Sequence, residues 1–389
     1  MNFKRIFILI LDSLGVGEAP DANDYNDSGA NTLKHIMDNY DLFIPNLKKL
    51  GFLNTINMDD NPNVEAYYTI AKPINNGKDS ISGHYELIGL DNKVPFKTFS
   101  DKAFPIQLID TIEKNIGKRL IGNKVTSGET ILNELGERHL NYGSLILYTS
   151  GDSTLEIAAH EDIVPISKLY SYCEKIRKIT EREEWRVARV IARPFTGKVG
   201  KFKFTNDRKD YTLKPQKRSI LNNLKDNNLS VISIGKLNDI VDGEGITKII
   251  KSSSTNIETI NKMTDIMAKN FTGVCITNLS EFDTMYGHKR NVEGYANAIE
   301  ELDVEIPLIL NKLNNDDLLI ITADHGNDPT FEGNYHTREN VPVIIFGRNF
   351  KEPKKLPILN TIADIGATIA DNFKVPGTEM GNSFLEQLK

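Results

Sequence analysis

At 389 residues, the chain has room for two domains of ordinary size, and its 39% hydrophobic and 26% charged side chains are those of a soluble globular protein. A formal net charge of −6 argues against nucleic acid as a partner, and two cysteines, Cys173 and Cys275, far apart and in different kinds of segment, exclude a disulfide framework. No apolar run approaches the roughly 20 residues of a membrane span, so no membrane partner is expected and the cytoplasm is the expected compartment.

The first apolar run, RIFILIL (5–11), follows a basic pair as a signal peptide would, but it is short and ends at Asp12 with no small-residue cleavage pattern. It reads as a buried strand. A helical pattern follows over 31–40, and then KDSISGHYELIGL (78–90), where Ser80 and Ser82 sit beside Gly83 and His84 on a turn that precedes a helix. From about Phe99 to Tyr211 the character changes. Two strand-like runs, SLILYTS (144–150) and RVARVIA (186–192), flank a charged helical pattern over 166–185, and KFKFTNDRKDYTLKP (201–215) alternates like a hairpin or edge strand. These residues read as a separate α/β unit inserted in a larger domain, with crossings near 98–101 and 212–217.

Beyond it, LSVISI (229–234), TGVCITNL (272–279), DLLIITA (317–323) and VPVIIFG (341–347) are almost continuously apolar, as strands covered on both faces must be. Helical patterns occupy 255–269, 291–313 and 358–371, and the polar run KSSSTN (251–256) offers a cap to the first of them. Strands alternating with helices predict an α/β fold with a mostly parallel sheet flanked by helices, plus a smaller inserted α/β domain.

Three of these strands run into acids. RIFILIL ends at Asp12, TGVCITNL leads to Asp283 and His288, and DLLIITA ends at Asp324 and His325. The carboxyl ends of parallel strands share one edge, where ligands bind, so the three aspartates would converge. Carboxylates that close resist ionisation unless a cation holds them. With His336 in GNYHTREN there are six candidates, enough for two ions of three protein ligands each, and carboxylate with imidazole suits Zn2+ or Mn2+ alike. Two ions close together suit in-line displacement at phosphorus, and a hydroxyl on a turn before a helix could accept the phosphoryl group.

Together, FILILDSLGVGEAPDA, GKDSISGHYELIGL, TNLSEFDTMYGHKRN and ITADHGNDPTFEGNYHTREN resemble the phosphopentomutase family of the alkaline phosphatase superfamily, which is related to metal-dependent phosphoglycerate mutases. The resemblance spans nearly the whole chain and includes AAHEDIVP and ARPFTG in the inserted unit. It implies an alkaline-phosphatase-like core over 1–98 and 216–389 and a substrate-binding cap over 99–215, which keeps water from the reaction.

The implied activity is interconversion of ribose or deoxyribose 1-phosphate and 5-phosphate through a phosphorylated enzyme, with two Mn2+ ions and priming by a sugar bisphosphate. Asp12, Asp324 and His325 would hold one metal together with Ser80, the nucleophile, and Asp283, His288 and His336 the other. Serine at position 80 stands where the family usually carries threonine. In the cap, Asp152 would contact sugar hydroxyls and Arg193 and Arg208 a phosphate; Lys236 in the core is a further phosphate contact.

The alternative is another superfamily enzyme, a phosphatase or a metal-dependent phosphoglycerate mutase. His84 is left off the metal set, with a role at phosphate or behind the ligands. His160 has two readings, substrate contact or packing, whereas His35 and His139 read as surface or cap residues and Cys275 as buried and inert. TEREEWR (180–186) reads as a solvated helix face. A monomer is compatible with the sequence.

Overall fold

β1 (Arg5–Leu11) is buried along its whole length, which an aliphatic run without alternation requires, since both of its faces need cover. The computed structural model describes residues 3–59, 62–92, 96–99, 102–149, 153–251 and 253–388. It divides into two units, Met1–Val94 with Pro215–Lys389, and Pro95–Lys214.

After β1 come α1 (Thr32–Asn39), α2 (Pro45–Lys49), β2 (Tyr67–Ala71) and α3 (Ser80–Leu87). The second unit holds α4 (Ile106–Ile116), β3 (Leu120–Val125), α5 (Gly128–Tyr142), β4 (Leu145–Thr149), β5 (Thr154–His160), α6 (Ile166–Ile179), β6 (Arg189–Thr196), β7 (Lys203–Phe204) and β8 (Lys209–Thr212). The chain then continues through α7 (Ile220–Asp226), β9 (Ser230–Ile234), α8 (Leu237–Ile240), β10 (Lys248–Ile250), α9 (Asn256–Met267) and β11 (Gly273–Leu279). It ends with α10 (Val292–Lys312), β12 (Asp317–Thr322), β13 (Val341–Phe346) and α11 (Ala363–Phe373).

The first unit is built on a seven-stranded sheet in the order β10-β9-β11-β1-β12-β13-β2. β10, β9, β11, β1 and β12 run parallel. β13 is an apolar run like the others but pairs antiparallel with β12 and with β2, a direction that its composition could not reveal. Leu11 pairs with Leu279 and Ile10 with Thr322, so three strands end at one level. At the opposite end Arg5 is buried; its guanidinium meets both oxygens of Asp317, at 2.8 and 2.5 Å, and the carbonyls of Met267 and Lys269. Thr255, in the polar run expected to cap α9, accepts the Glu258 amide at 3.2 Å.

The second unit has its own sheet, β3-β4-β5-β6-β7, with β8 also pairing with β6. One face packs on α4 and α6 through Leu147, Leu155, Ile157 and Val190; the other, through Ile146, Ala158 and Phe195, meets Ile131 and Leu132 of α5. The α/β fold expected from the sequence is present, but three local expectations fail here. β5 is a fully buried strand that the sequence reading passed over, because Glu156 and His160 interrupt its apolar character. α6 stops at Ile179, where the Thr180 hydroxyl turns back to the Ile176 carbonyl at 3.0 Å. TEREEWR is therefore a turn followed by a short 3-10 helix (Glu183–Trp185) rather than the end of α6: its glutamates are exposed, as expected, but Trp185 is buried. His139 is fully buried: its Nδ1 meets the Ser144 carbonyl at 2.6 Å and its Nε2 accepts the His160 amide at 2.9 Å, tying α5 to β5.

No helix among the described residues is long and apolar enough to cross a membrane.

Candidate metal centre

Four adjacent strands, β9, β11, β1 and β12, deliver side chains to one edge of the first sheet. Asp12 follows β1 directly, Asp324 lies two residues past β12, and Lys236 lies two past β9. Asp283 and His288 come from a widened turn after β11. Phe282–Gly287 is a π-helix, in which the His288 amide reaches back five residues to the Asp283 carbonyl at 3.0 Å. An α-helical turn would point side chains five residues apart in different directions. The wider π-turn brings them to one side, with Nε2 of His288 3.4 Å from Oδ2 of Asp283.

Two donor groups result. In Asp12, Asp324 and His325, and again in Asp283, His288 and His336, one ligand atom from each residue lies within 4.8 Å of the others. The histidines are aimed by the backbone. Nδ1 of His325 faces the Gly326 carbonyl at 3.0 Å, that of His288 faces Asn334 at 2.7 Å, and that of His336 faces Lys78 at 2.9 Å. A carbonyl only accepts, so each Nδ1 of a neutral ring carries the proton and each Nε2 presents a lone pair. Those of His336 and His288 lie 3.2 Å apart, and that of His336 lies 3.3 Å from Oδ1 of Asp283.

The electrostatics call for a cation. Asp12 is pushed up to about 7, by burial first and by the repulsion of Asp324 next, against the pull of Lys236. Burial also opposes ionisation of Asp324 and Asp283, but His325 and His84 hold the first below the usual carboxylate range, and His336 and Lys236 the second. His325 is lowered by burial, which keeps its ring neutral and able to ligate. Oδ1 of Asp12 and Oδ2 of Asp324 are buried without a hydrogen bond among the described residues. Carboxylate oxygens and imidazole lone pairs gathered into two such groups fit divalent ions of the Mn2+ or Zn2+ kind.

The two serines of the 78–90 stretch separate here. Asp79 is the N-cap of α3, and its carboxylate takes the amides of Ile81 and Ser82 at 3.0 and 3.1 Å. Ser82 is buried, its hydroxyl 2.8 Å from Asp79 and 3.2 Å from Nδ2 of Asn92. Ser80 is partly exposed, and its Oγ lies 3.1 Å from Nε2 of His325 and 3.4 Å from Nζ of Lys236. Nζ of Lys236 also lies 2.5 Å from Asp12 and 3.6 Å from Asp283; burial opposes its charge, but Asp12, Asp283 and Asp324 raise its pKa nonetheless.

Several supporting residues escaped the sequence reading. Asn278 donates to Asp12 at 3.0 Å and Asn327 to Asp283 at 2.8 Å, and the Ser13 amide donates to Asp324 at 3.1 Å. Asn278, a polar residue inside an otherwise apolar strand, was the one available signal. His84 lies behind Asp324, its Nδ1 3.2 Å from Oδ2 of Asp324 and 2.8 Å from the Ser80 carbonyl. His35 is more than a cap residue, because its Nδ1 pairs with the buried Asp328 at 2.5 Å. Cys275 lies buried in β11, and burial pushes its thiol up to about 12.

Arg193 and Arg208 belong to the second unit. The Arg193 guanidinium lies 4.1 Å over the Phe204 ring, with Nε 3.4 Å from Glu156. Arg208 is held by both oxygens of Asp210, at 2.7 and 2.8 Å. His160 is buried in the same unit, its Nε2 3.1 Å from the Gly197 carbonyl. Asp152 lies outside the described residues.

A family model described as the Metalloenzyme superfamily matches residues 4–377. Among solved structures, a protein of Pyrococcus horikoshii is similar at 14% identity over 96% of this chain and 98% of its own, with a TM-score of 0.49. A phosphoglycerate mutase of Leishmania mexicana is similar at 12% identity over 98% and 97%, with a TM-score of 0.49. The cofactor-independent phosphoglycerate mutase of Thermoplasma acidophilum is similar at 12% identity over 94% and 99%, with a TM-score of 0.39.

Proposed function

This chain belongs to the Metalloenzyme superfamily, and from that premise we propose that it is a phosphopentomutase, interconverting pentose 1-phosphate and 5-phosphate through a phosphoserine at Ser80. The observation that carries the reading is the position of the Ser80 hydroxyl, 3.1 Å from Nε2 of His325 at the edge of one donor group, with the second group beside it. Asp12, Asp324, His325 and Ser80 would hold one Mn2+ ion, and Asp283, His288 and His336 the other. Bound there, the ions would lower the pKa of the serine hydroxyl and offset charge on the phosphoryl oxygens.

The chain's own groups provide the rest. Asp79 fixes the turn from which Ser80 projects. The phosphoryl group on Ser80 passes to the free hydroxyl of the sugar phosphate, giving a sugar bisphosphate whose other phosphoryl group returns to Ser80. Lys236, beside Ser80, offers a positive charge to the transferring oxygens. In the second unit, the Arg193 and Arg208 guanidinium groups, braced by Phe204 and Asp210, suit two-point recognition of a phosphate. The pentose and the priming bisphosphate rest on the resemblance of AAHED, ARPFTG and GVGEAPDA to the phosphopentomutase family, as does the role of Asp152 at the sugar hydroxyls.

The test is to supply Mn2+ and compare ribose 1-phosphate, 3-phosphoglycerate and a generic aryl phosphate. Isomerisation of the pentose phosphate, stimulated by sugar bisphosphate, is expected. Release of inorganic phosphate without isomerisation, or faster turnover of 3-phosphoglycerate, would overturn the reading in favour of a phosphatase or a phosphoglycerate mutase.

A further inference from the structure

Behind the two donor groups lies a buried carboxylate that the chemistry above does not use. Glu339 is 1% exposed and closes the segment that carries Asp324, His325 and His336. Its Oε1 accepts the hydroxyls of Thr32 and Thr337 at 2.7 and 2.6 Å, and its Oε2 accepts the amides of Thr32 and Gly17 at 2.8 and 3.3 Å. Burying a carboxyl is costly unless donors surround it, and both oxygens of this one are supplied. Two glycines make room for it. A Cβ at Gly15 would lie 2.2 Å from Oε2, and one at Gly326 would lie 2.4 Å from Oε1. Gly15 stands three residues after Asp12, and Gly326 directly follows His325.

The two threonine hydroxyls pass the constraint onward. Oγ1 of Thr32 also accepts the Asn327 amide at 3.2 Å, and Nδ2 of Asn327 donates to Asp283 at 2.8 Å. Oγ1 of Thr337 accepts the Asp328 amide at 2.9 Å. The Thr337 amide donates at 3.0 Å to the Gly326 carbonyl, which also faces Nδ1 of His325 at 3.0 Å. Thr337 directly follows His336. One carboxylate is therefore linked to Asp283 through Thr32 and Asn327 and to His336 through Thr337 in one donor group, and to His325 through Thr337 and Gly326 in the other.

From this we propose that Glu339 is a positioning residue for both metal groups together, holding the loop after β1, the start of α1 and the 324–339 segment in the register that two-ion binding needs. The inference rests on the metal reading above. Glu339→Gln keeps the volume but turns one accepting oxygen into a donor: facing the backbone amides of Thr32 and Gly17 it opposes donor to donor, and facing the hydroxyls of Thr32 and Thr337 it forces both to reverse and accept. Its Mn2+ affinity, measured by calorimetry on demetallated full-length protein, is expected to fall about 10- to 100-fold, the scale of outer partners of metal ligands.

Asp317→Asn breaks the buried Arg5 pair at the opposite end of β1 and serves as the control: it is expected to lower thermal stability and leave Mn2+ affinity within about twofold. Thr32→Val keeps the carboxylate and removes one relay, so it reports on the same link even if the glutamine variant does not fold; several-fold weaker Mn2+ binding is expected of it. Wild-type affinity in either Glu339→Gln or Thr32→Val, or equal weakening in Asp317→Asn, would overturn the inference while leaving the metal reading intact. A wild-type protein that binds no Mn2+ would overturn both.

Discussion

Gly83 is a residue at which a single methyl group should disturb the site through the backbone of a candidate ligand, Asp324, without meeting its carboxylate. A Cβ there would lie 2.0 Å from the carbonyl oxygen of Asp324, 2.7 Å from its carbonyl carbon and 3.0 Å from its Cα. All three are backbone atoms, so no side chain can swing aside. Restoring ordinary contact, at about 3.4 Å, requires α3 and the Asp324 loop to separate by about 1.4 Å. Ser80 stands one helical turn before Gly83, so that movement would carry its hydroxyl away from His325, now 3.1 Å distant. Misplacement of a reacting group by about 1 Å is worth on the order of 100-fold in rate, and overpacking costs about 1–3 kcal/mol. Gly83→Ala should accordingly fold with reduced thermal stability and lose about two orders of magnitude in kcat. Steady-state kinetics at saturating Mn2+ and a thermal melt read both quantities. Wild-type kcat in a folded Gly83→Ala protein would refute the claim that α3 must press on the Asp324 loop to aim Ser80.

Three further outcomes follow from the same geometry. Lys236→Met removes a positive charge 2.5 Å from Asp12 and 3.6 Å from Asp283; Mn2+ should bind roughly tenfold tighter while kcat/KM falls, and weaker Mn2+ binding in calorimetry would contradict this. Because Asp12 is pushed up to about 7, chiefly by burial, an ion binding below that pH must displace its proton. Apparent Mn2+ affinity should therefore rise about tenfold per pH unit up to about 7 and flatten above it, and a flat titration below pH 7 would count against a role for Asp12. Arg193→Lys exchanges a planar fork stacked on Phe204 for a point charge; KM for the pentose phosphate should rise about 10-fold or more with little change in kcat, and an unchanged KM would remove Arg193 from phosphate recognition.

Much of the architecture was legible because burial writes itself into composition. β1, β11 and β12 are continuous apolar runs, and an acid at or just beyond the end of such a run marks the sheet edge where ligands gather. Strand direction carries no such signature, which is why β13 read like its parallel neighbours. β5 was lost because Glu156 and His160, satisfied by Tyr148 at 2.8 Å and by the Gly197 carbonyl at 3.1 Å, made a buried strand look polar. The π-turn that places Asp283 and His288 on one side depends on a backbone bond that no residue pattern announces. Glu339 looked like any charged loop residue, because its meaning comes from Thr32 and Gly17, more than 300 positions away. Ser80 was already named over Ser82 by the family resemblance; the physical difference between them, that the Asp79 cap takes up the Ser82 hydroxyl at 2.8 Å, was not legible.

The most direct measurement is phosphopeptide mapping of the full-length protein after incubation with Mn2+ and a pentose bisphosphate. Phosphate on Ser80, and none after Ser80→Ala with Ser82 intact, is the predicted result. Phosphate on Ser82, or a Ser80→Ala protein that still isomerises pentose phosphates, would contradict it.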